Sequence, residues 1–87
     1  MWFKGKNGSL YNCDHFKAVE IQNYDGMYMV AQAHMQPGDY ALAAYVEGIG
    51  WLALLVGSQD ECTNGMEQFT LALMGNMTLL KYERLLS

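Results

Sequence analysis

Hydrophobic and polar residues alternate along the first half of the chain in the way that is typical of half-buried strands. The clearest case is the segment where Val19 and Ile21 alternate with Glu20 and Gln22. Asn7-Gly8 is a hairpin signal, because both residues tolerate positive φ, and turn signals also fall at 12–15, 23–26 and 37–39. The pattern predicts short strands at Trp2–Lys4, Ser9–Tyr11, Phe16–Gln22 and Met27–Met35.

The middle of the chain contains two apolar segments, Tyr40–Val46 and Trp51–Val56, that have two interpretations. Their length and flanking glycines favour two strands, joined by a hairpin turn at 47–50. Asp39 would equally suit the N-cap of a helix through 41–44, because Ala and Leu are good helix residues. We expect two strands and keep the helix as the alternative.

The C-terminal third changes to a helical period. Ser58-Gln59-Asp60-Glu61 is a capping-box pattern, in which the Ser58 hydroxyl and the Glu61 carboxylate each accept a backbone N–H of the other. An apolar stripe then recurs at spacings of three and four, and Gly75-Asn76 is a typical helix end. We predict a main helix over 58–75 and an apolar tail over 76–87 that suits a short second helix. The stripe consists of Cys62, Met66, Phe69, Ala72 and Leu73.

These elements together predict one domain over residues 1–87 with an α+β fold. Residues 2–56 would form an antiparallel meander sheet of about five or six short strands. The C-terminal helix would pack on one face of that sheet.

The apolar content of so short a chain is high and indicates a second buried surface. With Gly counted, about 55% of the 87 residues are apolar, against roughly 45–50% in ordinary domains. We expect self-association, most simply as a symmetric homodimer; the alternative is a monomer whose Ala and Gly residues inflate the count. The candidate interface residues are Met27, Met29 and Met35 on one strand face, and Leu79, Leu80, Leu85 and Leu86 in the tail.

Charge and targeting signals narrow the class of partner. The net charge of −4 argues against binding to a nucleic-acid backbone, which needs clustered cations. The apolar run 51–56 is too short to span a bilayer, and the N-terminus has no signal-peptide pattern. We therefore expect a cytoplasmic protein with reduced thiols, whose partner is itself or another protein rather than a nucleic acid or a membrane.

Candidate chemistry is sparse. Cys13, Asp14 and His15 are adjacent, but no third group is identifiable that would orient the imidazole, so a turn is the simpler interpretation. Cys13, His15, His34 and Cys62 include ligand types that zinc prefers, but only one pair is closely spaced. We predict no catalytic residues, no metal and no cofactor.

The N-terminal segment Trp2-Phe3-Lys4-x-Lys6-Asn7-Gly8-Ser9-Leu10-x-Asn12-x-Asp14 resembles a group of very small uncharacterised proteins of bacteria and their phages. Similar segments follow at Val19-Glu20-Ile21, Tyr28-Met29-Val30, Tyr40-Ala41-Leu42 and Ser58-Gln59-Asp60-Glu61. The similarity covers roughly residues 2–75, and the segment at 47–56 and the tail after Asn76 are additions to it. The resemblance implies a meander sheet with a packed helix and no established activity.

Two functions remain after these exclusions. The first is a non-enzymatic protein-interaction module, such as an accessory protein of a phage or mobile element. The alternative is a small-ligand-binding domain with a pocket between sheet and helix.

Overall fold

The computed structural model describes residues 1–23, 29–30 and 39–87; for Met29 and Val30 it describes the backbone. The chain forms seven strands, two α-helices and one 3₁₀ turn within these ranges. In chain order they are β1 (Trp2–Lys4), β2 (Leu10–Asn12), the 3₁₀ turn (Cys13–His15), β3 (Phe16–Asn23), β4 (Met29–Val30), β5 (Tyr40–Val46), β6 (Gly50–Gly57), α1 (Gln59–Met74), β7 (Leu79–Lys81) and α2 (Tyr82–Leu85).

The fold is α+β, but the described strands form two sheets rather than the single meander predicted above. A small sheet has the order β2-β1-β7 and a larger sheet has the order β3-β5-β6-β4. The β1–β7 and β4–β6 pairs are parallel, whereas a meander contains only antiparallel neighbours. For β1 and β7 the physical reason is the tail: it returns to β1 after the long connection that includes α1, and parallel pairing requires such a crossover.

The β5–β6 hairpin shows that residues 40–56 are two strands, not part of a helix. Tyr40 pairs with Gly57 and Val46 pairs with Gly50. The turn contains Gly48 at φ +84°, a conformation that suits glycine. Leu54 is the extra residue of a bulge, because Leu42 pairs with Leu55 and the next residue, Ala43, pairs with Ala53.

The β1–β2 hairpin lies where Asn7-Gly8 predicts it, with a loop longer than two residues. The backbone N–H of Gly5 donates to Ser9 O at 2.9 Å, and the N–H of Gly8 donates to Gly5 O at 2.9 Å. Gly8 has φ +85°, and Asn7 Oδ1 accepts from the Ser9 N–H at 3.0 Å. β2 therefore begins at Leu10 rather than at Ser9.

Helix α1 packs on β3, β5 and β6 and contributes its buried stripe to the core. The buried helix residues are Cys62, Gly65, Phe69 and Ala72, and the Phe69 ring stacks on Phe16 at 6.3 Å between centroids. Leu73, which the predicted stripe includes, is 51% exposed instead. The buried face includes Gly65, which the predicted stripe leaves out because glycine has no apolar side chain, and Ala72, which it contains.

Gly65 marks the closest approach between the helix and the rest of the fold. A β-carbon at this position would lie 2.6 Å from Leu55 Cδ2 and 3.4 Å from Leu42 Cδ2. It would also lie 3.7 Å from the carbonyl oxygen of Leu85. The position therefore touches the sheet and the tail at once and leaves no room for a side chain.

The tail forms a strand and a short helix that complete the core. Leu80 and Leu85 are fully buried. Asn64 Nδ2 donates to Leu85 O at 3.3 Å and to Ser87 O at 3.1 Å, which fixes the chain end against α1. The sequence predicts the short helix but not β7.

Both hydrogen bonds of the capping box are present at the start of α1. The Glu61 N–H donates to Ser58 Oγ at 3.1 Å, and the Ser58 N–H donates to Glu61 Oε1 at 2.9 Å. These bonds, from the Ser58 backbone first and its hydroxyl second, lower the pKa of Glu61. The helix ends at Gly75, whose N–H donates to Leu71 O at 2.9 Å.

Replacing Ser58 by Ala removes the acceptor for the Glu61 N–H and is expected to lower the free energy of unfolding by about 1 kcal/mol. The measurement is urea denaturation followed by circular dichroism. Ser58→Asp, which keeps a capping oxygen, is the matched control and should stay close to the wild type. An unchanged urea midpoint in Ser58→Ala would show that the cap contributes nothing.

The lowered pKa of Glu61 predicts the pH dependence of the cap. Because the folded value lies below the unfolded one, the carboxylate contributes stability above its ordinary pKa of 4.5 and loses it as the pH falls through the folded value. The melting temperature of Glu61→Gln should therefore lie below that of the wild type at neutral pH, and the difference should shrink in acid. Glu67→Gln, at an exposed mid-helix position, is the control for the loss of a carboxylate from α1. If the difference in melting temperature between Glu61→Gln and the wild type stayed constant with pH, the cap would not be the cause of the lowered pKa of Glu61.

Replacing Gly65 by Val forces the branched side chain into Leu55 and is expected to cost about 1–3 kcal/mol of stability through overpacking. Glu67→Val, which places the same residue on the exposed side of α1, is the control for the helix propensity of Val. The free energies of unfolding of the two variants, measured by denaturation, should differ by most of that cost. Equal stability of the two would mean that the sheet and tail move away from position 65 freely.

Candidate interaction surface

The small sheet has an inner face in the core and an outer face on the surface. Phe3 pairs with Tyr11 on one side and with Leu80 on the other, and Phe3 and Leu80 are fully buried. Since alternate residues of a strand face opposite sides, the residues before and after Phe3 and Leu80 face outward. Trp2 and Lys4 of β1 thus lie beside Leu79 and Lys81 of β7.

The outer face carries an apolar row at one end. Trp2 pairs with Asn12 and with Leu79, and the Trp2 and Leu79 side chains are 48% and 37% exposed. The Trp2 N–H donates to Thr78 O at 2.9 Å, which joins this row to the loop after α1.

An open cavity of about 540 Å³ continues this row towards the end of α1. Leu73 and Met77, at its rim, are 51% and 36% exposed. We call Trp2, Leu73, Met77 and Leu79 the end surface. The residues that line the cavity are Met1, Trp2, Ala72, Leu73, Asn76, Met77 and Thr78.

The end surface carries no charged side chain. Among the residues that the structure describes, no acidic or basic side chain lines the cavity; the α-amino group of Met1, which does line it, lies 3.9 Å from Asp14 Oδ1. The surface therefore combines a large indole, two leucines and a methionine, none of which carries a charge. Exposed apolar groups that are contiguous in this way are typical of contact surfaces.

The opposite end of the outer face is basic. Lys4 pairs with Leu10 and with Lys81, and Leu10 is 57% exposed. Lys6 lies at the same end, with its Nζ 5.9 Å from the centroid of the Tyr82 ring. Burial, followed by the charges of Glu61 and Glu83, raises the pKa of Tyr82, so this phenol is neutral beside the lysine. We call Leu10, Lys4 and Lys81 the basic row.

The boundary between the larger sheet and α1 is filled by side chains. Leu42 and Leu55 approach Gly65 there, and Cys62 and Phe69 are buried beside them. Two further cavities, of about 410 and 350 Å³, are lined by Asp60, Glu61, Asn64, Leu85 and Leu86, and by residues of β2, the 3₁₀ turn and the β5–β6 turn. These cavities, like the one at the end surface, lie at the margins of the sheet–helix core.

The structure divides the predicted interface residues into three groups. Leu79 and Leu86 are exposed, at 37% and 49%. Leu80 and Leu85 are buried in the core of the single chain, which corrects their assignment to a surface: β7 alternates, so Leu80 faces inward, and α2 turns Leu85 towards α1. Met27 and Met35 lie outside the described residues, and Met29 is described only as backbone in β4.

Sequence reasoning missed most of the end surface. The sequence pattern predicts a strand at Trp2 without indicating its face, and it places Leu73 in the apolar stripe and Met77 in the tail. The sequence analysis does not predict β7, and it is the pairing of Leu79–Lys81 with β1 that makes Trp2 and Leu79 neighbours. Leu79-Leu80-Lys81 does not alternate apolar with polar residues, so local periodicity does not indicate that strand.

None of the described residues considered for chemistry lines this cavity, but two of them contact Met1, which does: Asp14 Oδ1 lies 3.9 Å from its α-amino group, and the Cys13 N–H donates to Met1 O at 3.0 Å. Cys13, Asp14 and His15 form the 3₁₀ turn, and Cys62 is buried on α1. Both cysteines are free thiols; burial raises the pKa of Cys13 to about 11 and also raises that of Cys62. Among the described residues, no three His, Cys, Asp or Glu side chains are grouped as metal ligands, and His34 lies outside them.

The same ranges contain no helix with the length and hydrophobicity needed to cross a membrane. Comparison of the chain with protein-family models, with curated proteins and with solved structures finds no match.

The raised thiol pKa values predict slow alkylation of the folded protein. At pH 8 both groups are protonated to a greater extent than an exposed thiol, so iodoacetamide should react roughly tenfold or more slowly than with the unfolded chain. Mass spectrometry of alkylated samples measures the rate. Thiol titration in denaturant without reductant should give two free groups, and elemental analysis should give no bound zinc. Fast alkylation of both thiols in the native state, missing thiols or stoichiometric zinc would contradict this.

Proposed function

We propose that the protein is a non-enzymatic protein-interaction module that pairs with a second copy of itself through the end surface. A cytoplasmic accessory protein of a phage or mobile element is the biological setting that the N-terminal resemblance favours. An interaction module could also bind a different protein at the end surface, provided that this protein has a matching apolar surface.

The observation that carries the proposal is the meeting of exposed apolar side chains from three parts of the chain. Trp2 comes from β1, Leu73 from the last turn of α1, and Met77 and Leu79 from the return of the tail. A small domain gains little stability from leaving such groups in water, and covering them adds burial that a domain of this size lacks.

A second copy is favoured as the occupant because the end surface is uncharged. In a symmetric contact each residue meets the same patch of its partner, so any net charge on the patch is repelled by its own copy. Trp2, Leu73, Met77 and Leu79 avoid this repulsion, and Asn76 and Thr78 provide polar groups at the margin. The net charge of −4 is carried elsewhere on the molecule.

A non-enzymatic role is supported by the state of the nucleophiles. Cys13 and Cys62 are thiols whose raised pKa values keep them protonated at neutral pH, and the thiolate is the reactive form. His15 lies in the 3₁₀ turn beside Asp14, whose backbone N–H is already held by Asn12 Oδ1 at 3.1 Å. The residues of this turn are thus explained by local structure.

Binding of a small apolar ligand is the second candidate function. The volume of about 540 Å³ at the end surface lies within the range of ligand cavities. The sequence predicts a ligand pocket between sheet and helix, and we propose instead a ligand site at the edge between α1 and the small sheet. A saturable change in Trp2 fluorescence on titration with an apolar dye, in a protein of monomeric mass, would favour this function over pairing.

The dimer is tested by light scattering coupled to size-exclusion chromatography over micromolar concentrations. The wild type should approach twice the 9.8 kDa chain mass as concentration rises. Leu73→Ser should shift the equilibrium towards the monomer by about tenfold or more, because it removes a central apolar contact.

The matched control is Leu71→Ser, since Leu71 is 54% exposed on the same helix but does not line the cavity. This variant should dimerise as the wild type does. A mass of one chain at every concentration, or equal loss of dimer in both variants, would overturn the end surface as the contact between copies.

A further inference from the structure

The basic row places two lysines side by side on an exposed sheet face. Lys4 and Lys81 are direct cross-strand partners on β1 and β7, whose backbones run about 4.8 Å apart. Both side chains are exposed and face outward with Leu10. Lys6 lies at the same end, above Tyr82. Three of the five cationic residues of an otherwise acidic chain therefore gather at one end of the small sheet.

Among the described residues no ion pair compensates this arrangement, and the acidic groups of Glu61 and Glu83 act on Tyr82 beside Lys6. Like charges directly opposite each other destabilise a sheet, and neither Lys4 nor Lys81 forms an ion pair with a residue in 1–23 or 39–87. By contrast, Lys17 forms an ion pair with Glu47 at 3.2 Å. A local choice that opposes stability without a packing reason is typical of a functional position.

We propose that the basic row binds an acidic, amphipathic segment of another protein. Carboxylates of that segment lie against Lys4 and Lys81, and its apolar side chains lie against Leu10. This partner is additional to the second copy, and its site is separate: the basic row lies at the C-terminal end of β1 and β7, whereas the end surface extends from their N-terminal ends.

Charge decides which class of partner fits the basic row. A second copy in a symmetric contact would bring Lys4 and Lys81 against their own equivalents, which repel. A long nucleic-acid strand would meet a protein of net charge −4 whose row has two lysines, no arginine and an exposed leucine. A short acidic segment matches both the local positive charge and the apolar neighbour.

The test measures fluorescence anisotropy of a labelled peptide of repeated Glu-Glu-Leu units titrated with the protein. A Gln-Gln-Leu peptide of the same length and a labelled thymidine oligonucleotide are measured alongside it. The wild type should bind the acidic peptide best, and the affinity should fall with added salt. The double variant Lys4→Gln/Lys81→Gln should bind it about tenfold more weakly.

Lys17→Gln is the control, because it removes one exposed positive charge that is not part of the basic row and is paired with Glu47. It should bind the acidic peptide as the wild type does, and circular dichroism should show all variants folded. Equal binding of the Gln-Gln-Leu peptide, an unchanged affinity in the double variant, tighter binding of the oligonucleotide, or no binding of the acidic peptide would each overturn the proposal. Light scattering of the same samples tests the dimer separately, so either proposal can fail alone.

Discussion

The close contact of α1 with the β5–β6 hairpin at Gly65 is the constraint on which the other parts of the structure depend. The absence of a side chain at Gly65 lets Leu55 and Leu42 reach the helix backbone, with the carbonyl of Leu85 on the other side. This single position joins the larger sheet, the helix and the tail. Around it, Cys62, Phe69, Leu80 and Leu85 are buried, so that a short chain obtains one continuous core.

That contact also determines where the surface groups lie. In the last turn of α1, Ala72 is buried and Leu73 is exposed. The chain then reverses at Gly75 and Asn76, the latter in the left-handed region at φ 54°, and returns alongside β1 as β7. Trp2 and Leu79 become neighbours at one end of the small sheet and Lys4 and Lys81 at the other. An uncharged apolar surface and a basic row thus follow from one strand pairing.

The elements that sequence predicts well are those specified by nearby residues. The hairpin at Asn7-Gly8, the strands on either side of residues 47–50 and the capping box of Ser58 and Glu61 depend on turn chemistry or local periodicity. The prediction of a single meander fails because β1 pairs with β7, between residues nearly eighty positions apart. No local pattern contains that pairing. Leu80 and Leu85 show the same limit: their hydrophobicity predicts burial, but whether within the chain or between chains is decided by that pairing.

The central claim is that Trp2, Leu73 and Met77 of one copy contact the same residues of another. An isotope-filtered nuclear Overhauser experiment on a mixture of labelled and unlabelled protein tests it most directly, because it detects contacts between copies only. We expect cross-peaks between the methyl groups of Leu73 or Met77 in one copy and the Trp2 indole in the other. Cross-peaks confined to residues away from the end surface, or none at a concentration where the mass is that of one chain, would contradict it.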